Sequence, residues 1–416
     1  MKLTNVKSLG CKVNFSDTQA AAARIVFETG PPVEVVGTCC VTGAAEKQSR
    51  KEVRRALRRV GPEGRVFVTG CAARLAAGPF EAIGKNVTVL PGPAGKKPLV
   101  ICKSQTASLP GERFHNEMKT LAGRTRFFLK IQDGCANMCA YCVVPLVRGR
   151  PVSLPMVQLL ALARAVVEKG CPEIVVCGVD VGAWRDGNHK LADLLTRLAR
   201  IDGLARLRLS SVEVVHLSPE LLETMVAGKV ICPHLHVPLQ SGDDRVLETM
   251  GRRYDCGEFS GRLAAARRAL PGVNLTTDVI VGFPGEDGRA FKNTLDFIAA
   301  EGFSKVHGFS YSPRPGTRAI KLHDSVPAAE KKRRSQQLLA LSRRLGRRHR
   351  QRKVGGLSEV LLESAVKPGV FGGYSADYTR FLVSHADGAG LANVRAEAVS
   401  GEAVLGKMVN QRGRAF

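Results

Sequence analysis

Residues Gly134–Cys142 read GCANMCAYC and place three thiols, Cys135, Cys139 and Cys142, within nine residues. A closed zinc site takes four ligands, usually as two paired knuckles. Spacings of three and two residues leave a metal centre here one ligand short, and the chain around the loop has to explain the vacancy. The segment before it, "RFFLKIQ" (126–132), reads as a strand, and five more follow: "EIVVCGV", "RLRLSSVE", "HLHVPLQ", "NLTTDVIVGFPG" and "KVHGFSYS". Helical stretches such as 156–169, 190–200 and 287–301 separate them. Six βα units from 125 to about 315 predict a partial barrel, whose working residues sit at the carboxyl ends of its strands. The cysteine loop follows the first strand, and "GVDVG", "SSVE", "PLQSG", "VGFPG" and "YSPRPG" follow the others.

Upstream, "VKSLG", "VEVVG" and "VFVTG" read as strands and 16–28 and 44–60 as helices, with Val53, Leu57 and Val60 on one face of the second. This alternation predicts a parallel α/β sheet. Each strand runs into a cysteine: Cys11, Cys39 and Cys71. Ligands of open α/β sheets bind at the carboxyl edge, so three cysteines distant in sequence can meet there; buried thiols are the competing reading. Residues 91–122, rich in Pro, Gly, Lys and Ser, read as a linker. Residues 331–353 contain eleven Lys or Arg and no acid, with Leu338, Leu341 and Leu345 at helical spacing. Short β-like pieces beyond ("SEVLLES", "FLVSH", "NVRAEAVS", "AVLGKMVN") predict a small all-β barrel.

The chain has 416 residues, 44% of them hydrophobic, and a formal charge of +25 from 62 Lys+Arg against 37 Asp+Glu. That excess points to a polyanionic partner, most simply nucleic acid. There is no apolar run of membrane-spanning length and no signal-peptide pattern at the start, so a cytoplasmic location and no membrane partner are expected. Without a signal peptide, twelve cysteines suggest metal ligands or buried thiols rather than disulfides.

A four-iron cubane takes thiolate ligands. Three cysteines hold three of its irons and leave the fourth open to a ligand offering amine and carboxylate groups, such as the methionine part of S-adenosylmethionine. An electron from the cluster can then cleave the sulfonium to a 5′-deoxyadenosyl radical. The rivals, an incomplete zinc site or chance buried thiols, fit less well, because zinc favours paired motifs.

C-x3-C-x2-C after the first strand of a βα barrel, with Tyr141 before the last cysteine, resembles the radical S-adenosylmethionine superfamily. "LGCKVN", "TCCVTGAAEKQSRKEVRRA", "VTGC", "LRLSSVE", "HLHVPLQSGDDRVLETMGRRY", "TTDVIVGFPGE" and "YSPRPGT" narrow the resemblance to the methylthiotransferase family over nearly the full chain. The resemblance implies three parts: an open parallel α/β domain over 1–118 with an auxiliary cluster and linker, a partial (β/α)6 radical barrel over 119–350 ending in the basic helix, and an RNA-binding TRAM barrel over 351–416. It implies two [4Fe-4S] clusters, held by Cys135, Cys139 and Cys142 and by Cys11, Cys39 and Cys71. Cys40 rivals Cys39, but Thr-Cys-x-Val-Thr falls on Thr38, Cys39, Val41 and Thr42. Tyr141, Glu213, Gln240 and Ser241 are the expected S-adenosylmethionine contacts; for Glu213 the competing reading is a salt bridge to a nearby Arg. No residue is assigned a catalytic acid–base role.

Two departures stand out: Gly37 replaces the family's usual Asn, and the segment before Thr38 is short, so the first domain is expected to lack an edge strand. "LGCKVN" and "SPRPGT" look like the branch acting on threonylcarbamoyl-adenosine beside the tRNA anticodon. The branches acting on isopentenyl-adenosine in tRNA or on a ribosomal-protein aspartate are the alternatives, and a non-catalytic iron–sulfur RNA-binding protein is the competing class. The expected partners are the anticodon stem-loop and an external electron donor, with no stable protein partner.

Overall fold

The structure, a computed structural model, describes residues 2–25, 30–90, 125–384 and 388–409. The segment read as a linker, and with it the expected boundary at 118, lies outside the described residues. The first sheet has four parallel strands in chain order, Lys2–Ser8, Pro32–Thr38, Arg65–Gly70 and Val87–Val89. Lys2–Ser8 is an edge, and among the described residues no strand lies between Ile25 and Pro32. The helix Lys12–Ile25 starts four residues earlier than expected, directly after Cys11. Asn14 holds that start by donating to the Leu9 and Thr38 carbonyls at 2.5 and 3.1 Å. The second helix, Gly43–Val60, is N-capped by Thr42, whose hydroxyl accepts from Ala45 N–H, and buries Ser49, Val53, Ala56 and Val60. Gly37 has a steric reason: a Cβ there would lie 1.9 Å from Thr18 Oγ1 on the first helix.

All six expected barrel strands are present: Arg126–Lys130, Glu173–Cys177, Arg206–Leu209, His234–His236, Asn274–Val281 and Lys305–Ser310. They form two parallel three-stranded sheets, joined by bridges Leu207↔Ile231 and Ser211↔His236 into one run in chain order. Helices cover the outer face. In Leu191–Leu198, Leu191, Leu194, Leu195 and Leu198 are buried at i, i+3, i+4 and i+7 and join Leu129, Ile174, Leu207 and Val279 in the main core.

The basic helix spans Ala328–Gln351 and belongs to this core: Leu338 and Leu341 are buried in it. Ser342 Oγ accepts from Val306 N–H at 2.9 Å, and buried Arg334 pairs with Glu286 at 2.7 Å. Part of the cationic run is therefore structural. Arg343, Arg344, Arg347 and Arg348 are among its exposed members.

The C-terminal strands Leu357–Lys367, Val370–Ser375, Arg380–Ser384, Gly390–Ser400 and Ala403–Met408 close into a barrel. Val370–Ser375 was not expected, because its Gly-Gly pair reads as a turn. This barrel meets the amino ends of the central strands. Arg126 pairs with Glu363 at 2.7 Å, Arg206 with Glu359 at 2.9 Å, and Arg208 donates to the Ser375 and Ala376 carbonyls. Tyr378 lies under these cations, its ring centroid 4.6 Å from the Arg208 guanidinium.

Glu173 is fully buried and faces all three arginines, closest to Arg208 at 2.7 Å. Arg208 has no other carboxylate partner among the described residues. Glu173→Gln strands a buried guanidinium and should cost about 3 kcal/mol of stability, read by denaturant titration. A loss near zero would show that the backbone carbonyls alone hold Arg208.

Candidate functional site

Cys135, Cys139 and Cys142 lie on one loop after the first barrel strand, close enough that Cys139 helps to raise Cys135, and both help to raise Cys142. The loop is held by Cys135 N–H donating to the Gly149 carbonyl and by Ala140 N–H donating to Met250. Met138, between the first two cysteines, has φ +50°, a strained value for a side-chain-bearing residue. Arg252 is buried behind the loop. Its guanidinium donates to Cys139 Sγ at 3.2 Å and Tyr141 Oη at 3.3 Å and ion-pairs with Glu213. Burial pushes Cys142 up to about 12 and raises Cys135, so both remain thiols until a metal displaces the proton.

The second set also comes together. A Cβ on Gly10 would lie 3.0 Å from Cys39 Sγ, and Cys71 helps to raise both Cys11 and Cys39. Cys11 is exposed within the crevice; Cys39 and Cys71 are buried. Burial pushes Cys39 up to about 11. Cys71 is brought down to about 6 by the hydrogen bond Cys40 donates to it, with Arg148 adding to the effect. Cys40 itself packs among Val36, Val53 and Val143. Arg148 Nε donates to Cys71 Sγ at 3.2 Å.

Arg148 also ties the two sets together. It follows the triple-cysteine loop in sequence, yet its NH1 reaches Asp17 of the first helix and Asp133 of the loop, both at 2.9 Å. Lys130 Nζ bridges the same two carboxylates at 2.6 Å each. Burial alone would raise Asp133; Arg148 and Lys130 outweigh it and hold the carboxyl at about 2. Arg148 NH2 is buried without a hydrogen-bond partner among the described residues.

A cavity of about 160 Å³ opens beside the triple-cysteine loop, lined by Val41 and Thr42, which follow Cys39 in sequence, and by Tyr141, Cys142, Gln240, Phe309 and Tyr311. Its walls are mainly apolar and aromatic, with Thr42, Gln240, Asp278, Ser310 and Ser312 as the polar members. Of the four side chains expected at a cofactor, Tyr141 and Gln240 line it, and Gln240 is held at φ +71°. Glu213 lies beside the cysteine loop through Arg252, so the salt bridge weighed against it exists and places it near Cys135 as well. Ser241 is fully buried, its hydroxyl 3.3 Å from Thr294 Oγ1, and is not part of the lining. Sequence reasoning missed Arg148, Arg252 and Asp17. The first two lie in "VRGR" and "MGRRY"; Arg148 follows the cysteine motif by six residues, and Arg252 carries no comparable signal.

Each thiol set with its arginine donor fits a cluster with three thiolate ligands: soft donors converge, and a buried cation offsets their charge. Residues 129–298 match the Radical SAM superfamily, and 4–92 match the uncharacterized protein family UPF0004. The threonylcarbamoyladenosine tRNA methylthiotransferase MtaB of Bacillus subtilis is 34% identical, over 90% of this chain and 89% of that protein. Its counterpart in Thermotoga maritima is 34% identical over 91% of each. The tRNA-2-methylthio-N(6)-dimethylallyladenosine synthase of Desulfitobacterium hafniense is 34% identical over 80% of this chain and 78% of that one. Among solved structures, the radical S-adenosylmethionine methyltransferase TsrM of Kitasatospora setae superposes with a TM-score of 0.49 at 13% identity, over 74% of this chain and 73% of that one. The chain belongs to the radical S-adenosylmethionine tRNA methylthiotransferases, enzymes that use S-adenosylmethionine and [4Fe-4S] clusters.

Proposed function

We propose that the chain methylthiolates C2 of N6-threonylcarbamoyladenosine beside the tRNA anticodon. The carrying observation is the cavity beside Cys142, whose lining also takes Val41 and Thr42 from the segment just after Cys39. In this reading Cys135, Cys139 and Cys142 hold the radical cluster, and Cys11, Cys39 and Cys71 hold the auxiliary one. When bound, the first supplies the electron that cleaves S-adenosylmethionine and the second carries the sulfur that is transferred. The protein's own groups do the rest. Tyr141, Phe309 and Tyr311 offer flat apolar faces for a base taken out of the anticodon-loop stack, an extrusion that single-stranded RNA permits at low cost. The apolar walls exclude water, which protects a radical from side reactions. Glu213 and Gln240 supply polar groups for the nucleoside and methionine parts of S-adenosylmethionine. The division into 1–118, 119–350 and 351–416, with a TRAM barrel as the last part, and a cytoplasmic location belong to the same reading.

The test is mass analysis of tRNA nucleosides from a host strain lacking the chain. Loss of the methylthio mark on threonylcarbamoyladenosine is expected; loss on isopentenyladenosine instead would move the substrate to the other tRNA branch. In the purified protein, Cys135→Ala, Cys139→Ala or Cys142→Ala should abolish 5′-deoxyadenosine formation. Cys11→Ala, Cys39→Ala or Cys71→Ala should remove about half of the iron and spare S-adenosylmethionine cleavage. Cys40→Ala should keep the iron, and depletion there but not in Cys39→Ala would exchange the two assignments.

Hydrogen bonds to ligating sulfurs help set a cluster's reduction potential, and a donated bond favours the more negative reduced form. Arg252→Gln removes the donor to Cys139 and should shift the radical cluster to lower potential in an EPR-monitored titration. An unmoved midpoint would reduce Arg252 to a partner of Glu213 alone.

The exposed cations of the helix Ala328–Gln351 lie on the RNA path in this reading. Because the helix is core-bound, replacing Arg343, Arg344, Arg347 and Arg348 by Gln tests it better than truncation. Each lost phosphate contact should flatten the log affinity–log salt slope for tRNA by about 0.7 to 0.9. An unchanged slope would move the footprint off this helix.

A further inference from the structure

The thiol set Cys11, Cys39 and Cys71 stands against a group of buried charges that does not balance. Arg74, Lys130 and Arg148 are joined through Asp17 and Asp133. Lys130 Nζ lies 2.6 Å from each carboxylate, Arg148 NH1 2.9 Å from each, and Arg74 NH2 3.5 Å from Asp17. All five side chains are buried. Three cations thus face two carboxylates, and among the described residues no other carboxylate pairs with any of them. An excess positive charge held out of water is costly unless an anion completes it.

The donors of the group show where that anion belongs. Arg148 NH2 and Arg74 Nε and NH2 are buried without a hydrogen-bond partner among the described residues. In a planar guanidinium Nε–H and the near N–H of NH2 form one edge, which takes neighbouring acceptors together. The edge does so elsewhere in this chain. Arg59 holds both oxygens of Glu34 at 2.8 and 2.7 Å, and Arg208 both of Glu173 at 2.7 and 3.2 Å. In Arg148, Nε donates to Cys71 Sγ at 3.2 Å, and the prong next to it has no acceptor. NH1, bound to Asp17 and Asp133, keeps the fork from turning. The second prong therefore points beside Cys71 Sγ. A water there would satisfy the donor but not the charge.

We propose that Arg148 is a positioning residue for the auxiliary cluster. Its Nε holds the Cys71 thiolate, its NH2 holds an inorganic sulfide on the same iron, and Arg74 and Lys130 share in the positive charge offered there. The inference rests on the assignment of Cys11, Cys39 and Cys71 to that cluster. Three thiolates around an oxidised cubane core, which carries two positive charges, leave one negative charge, the complement of the buried excess. Reduction adds a further negative charge beside the same fork, so the arrangement favours the reduced form and raises the midpoint potential. A lysine would carry the same charge without the fork.

The experiment uses the full-length chain with Cys135→Ala, Cys139→Ala and Cys142→Ala combined, so that the auxiliary cluster is read alone. After anaerobic reconstitution, an EPR-monitored redox titration gives its midpoint. Arg148→Lys should keep the iron and lower the midpoint by about 59 mV, a tenfold change in the reduced-to-oxidised ratio for one electron. Arg148→Gln loses the charge as well and should fall further. With arginine isotopically labelled in its guanidino nitrogens, pulsed EPR of the reduced parent chain should show nitrogen couplings that Arg148→Lys removes. An Arg148→Lys midpoint equal to the parent's would overturn the inference. Absence of nitrogen coupling in the parent would overturn it too, even where the Arg148 variants fail to load iron. A parent chain that binds no iron would instead overturn the assignment of the auxiliary ligands, on which the inference rests.

Discussion

The structure turns on one buried guanidinium. Arg148 comes from the segment after the triple-cysteine loop, yet its side chain is nearly inaccessible and lies among Asp17, Asp133 and Cys71. With Lys130 it locks the first helix of the first sheet to the first strand of the second. A network of this kind adds little net stability relative to an apolar contact, but removing one partner is costly, because the others are left charged and dry. Its product is registry. Cys71, at the carboxyl edge of one sheet, and the cysteine loop, at the carboxyl edge of another, are held in fixed relation through Arg148.

Backbone strain gathers along the same axis. Among the described residues, three non-glycine positions have positive φ: Met138 in the cysteine loop, Gln240 in the cavity wall and Tyr378 beneath the barrel. Each costs on the order of 1–3 kcal/mol and persists only where the surroundings over-determine it. At Gln240 the backbone is pinned by N–H donation to the Asp278 carbonyl and by Ile280 N–H donating to its own. At Tyr378 the ring is stacked on Tyr374, centroids 4.9 Å apart, and held under Arg208.

Much of this was legible in the sequence, for reasons that differ by element. The six barrel strands and the first three strands of the open sheet carried strong apolar runs. Spacing singled out one cysteine triplet; strand ends allowed the other beside a buried-thiol reading, and the family resemblance chose it. What escaped was whatever depends on the fold to acquire meaning. Arg148 and Arg252 are two among 62 cations, and only burial against thiols sets them apart. Ser241 follows a strand, where an outward-facing hydroxyl is expected, but Thr294 on the covering helix captures it. Val370–Ser375 was hidden by its glycines, which the closed barrel needs: a Cβ on Gly373 would come within 2.2 Å of the Leu361 carbonyl. The basic helix read as an RNA-contacting element with a three-leucine stripe; the stripe is what the core takes up, and the burial of Arg334 among the cations carried no sequence signal.

The C-terminal barrel grips the central strands at their amino ends, through Arg126, Arg206 and Arg208, whereas the thiol loop occupies the opposite ends. Asn274–Val281 alone, at about 3.3 Å per residue, keeps the two some 25 Å apart, and the buried arginines leave no hinge between them. A ligand that touches both must therefore match a fixed calliper. A lone nucleoside is too short for it, whereas a folded stem with a loop can reach from one jaw to the other. Length, as well as chemistry, then becomes a criterion for admission.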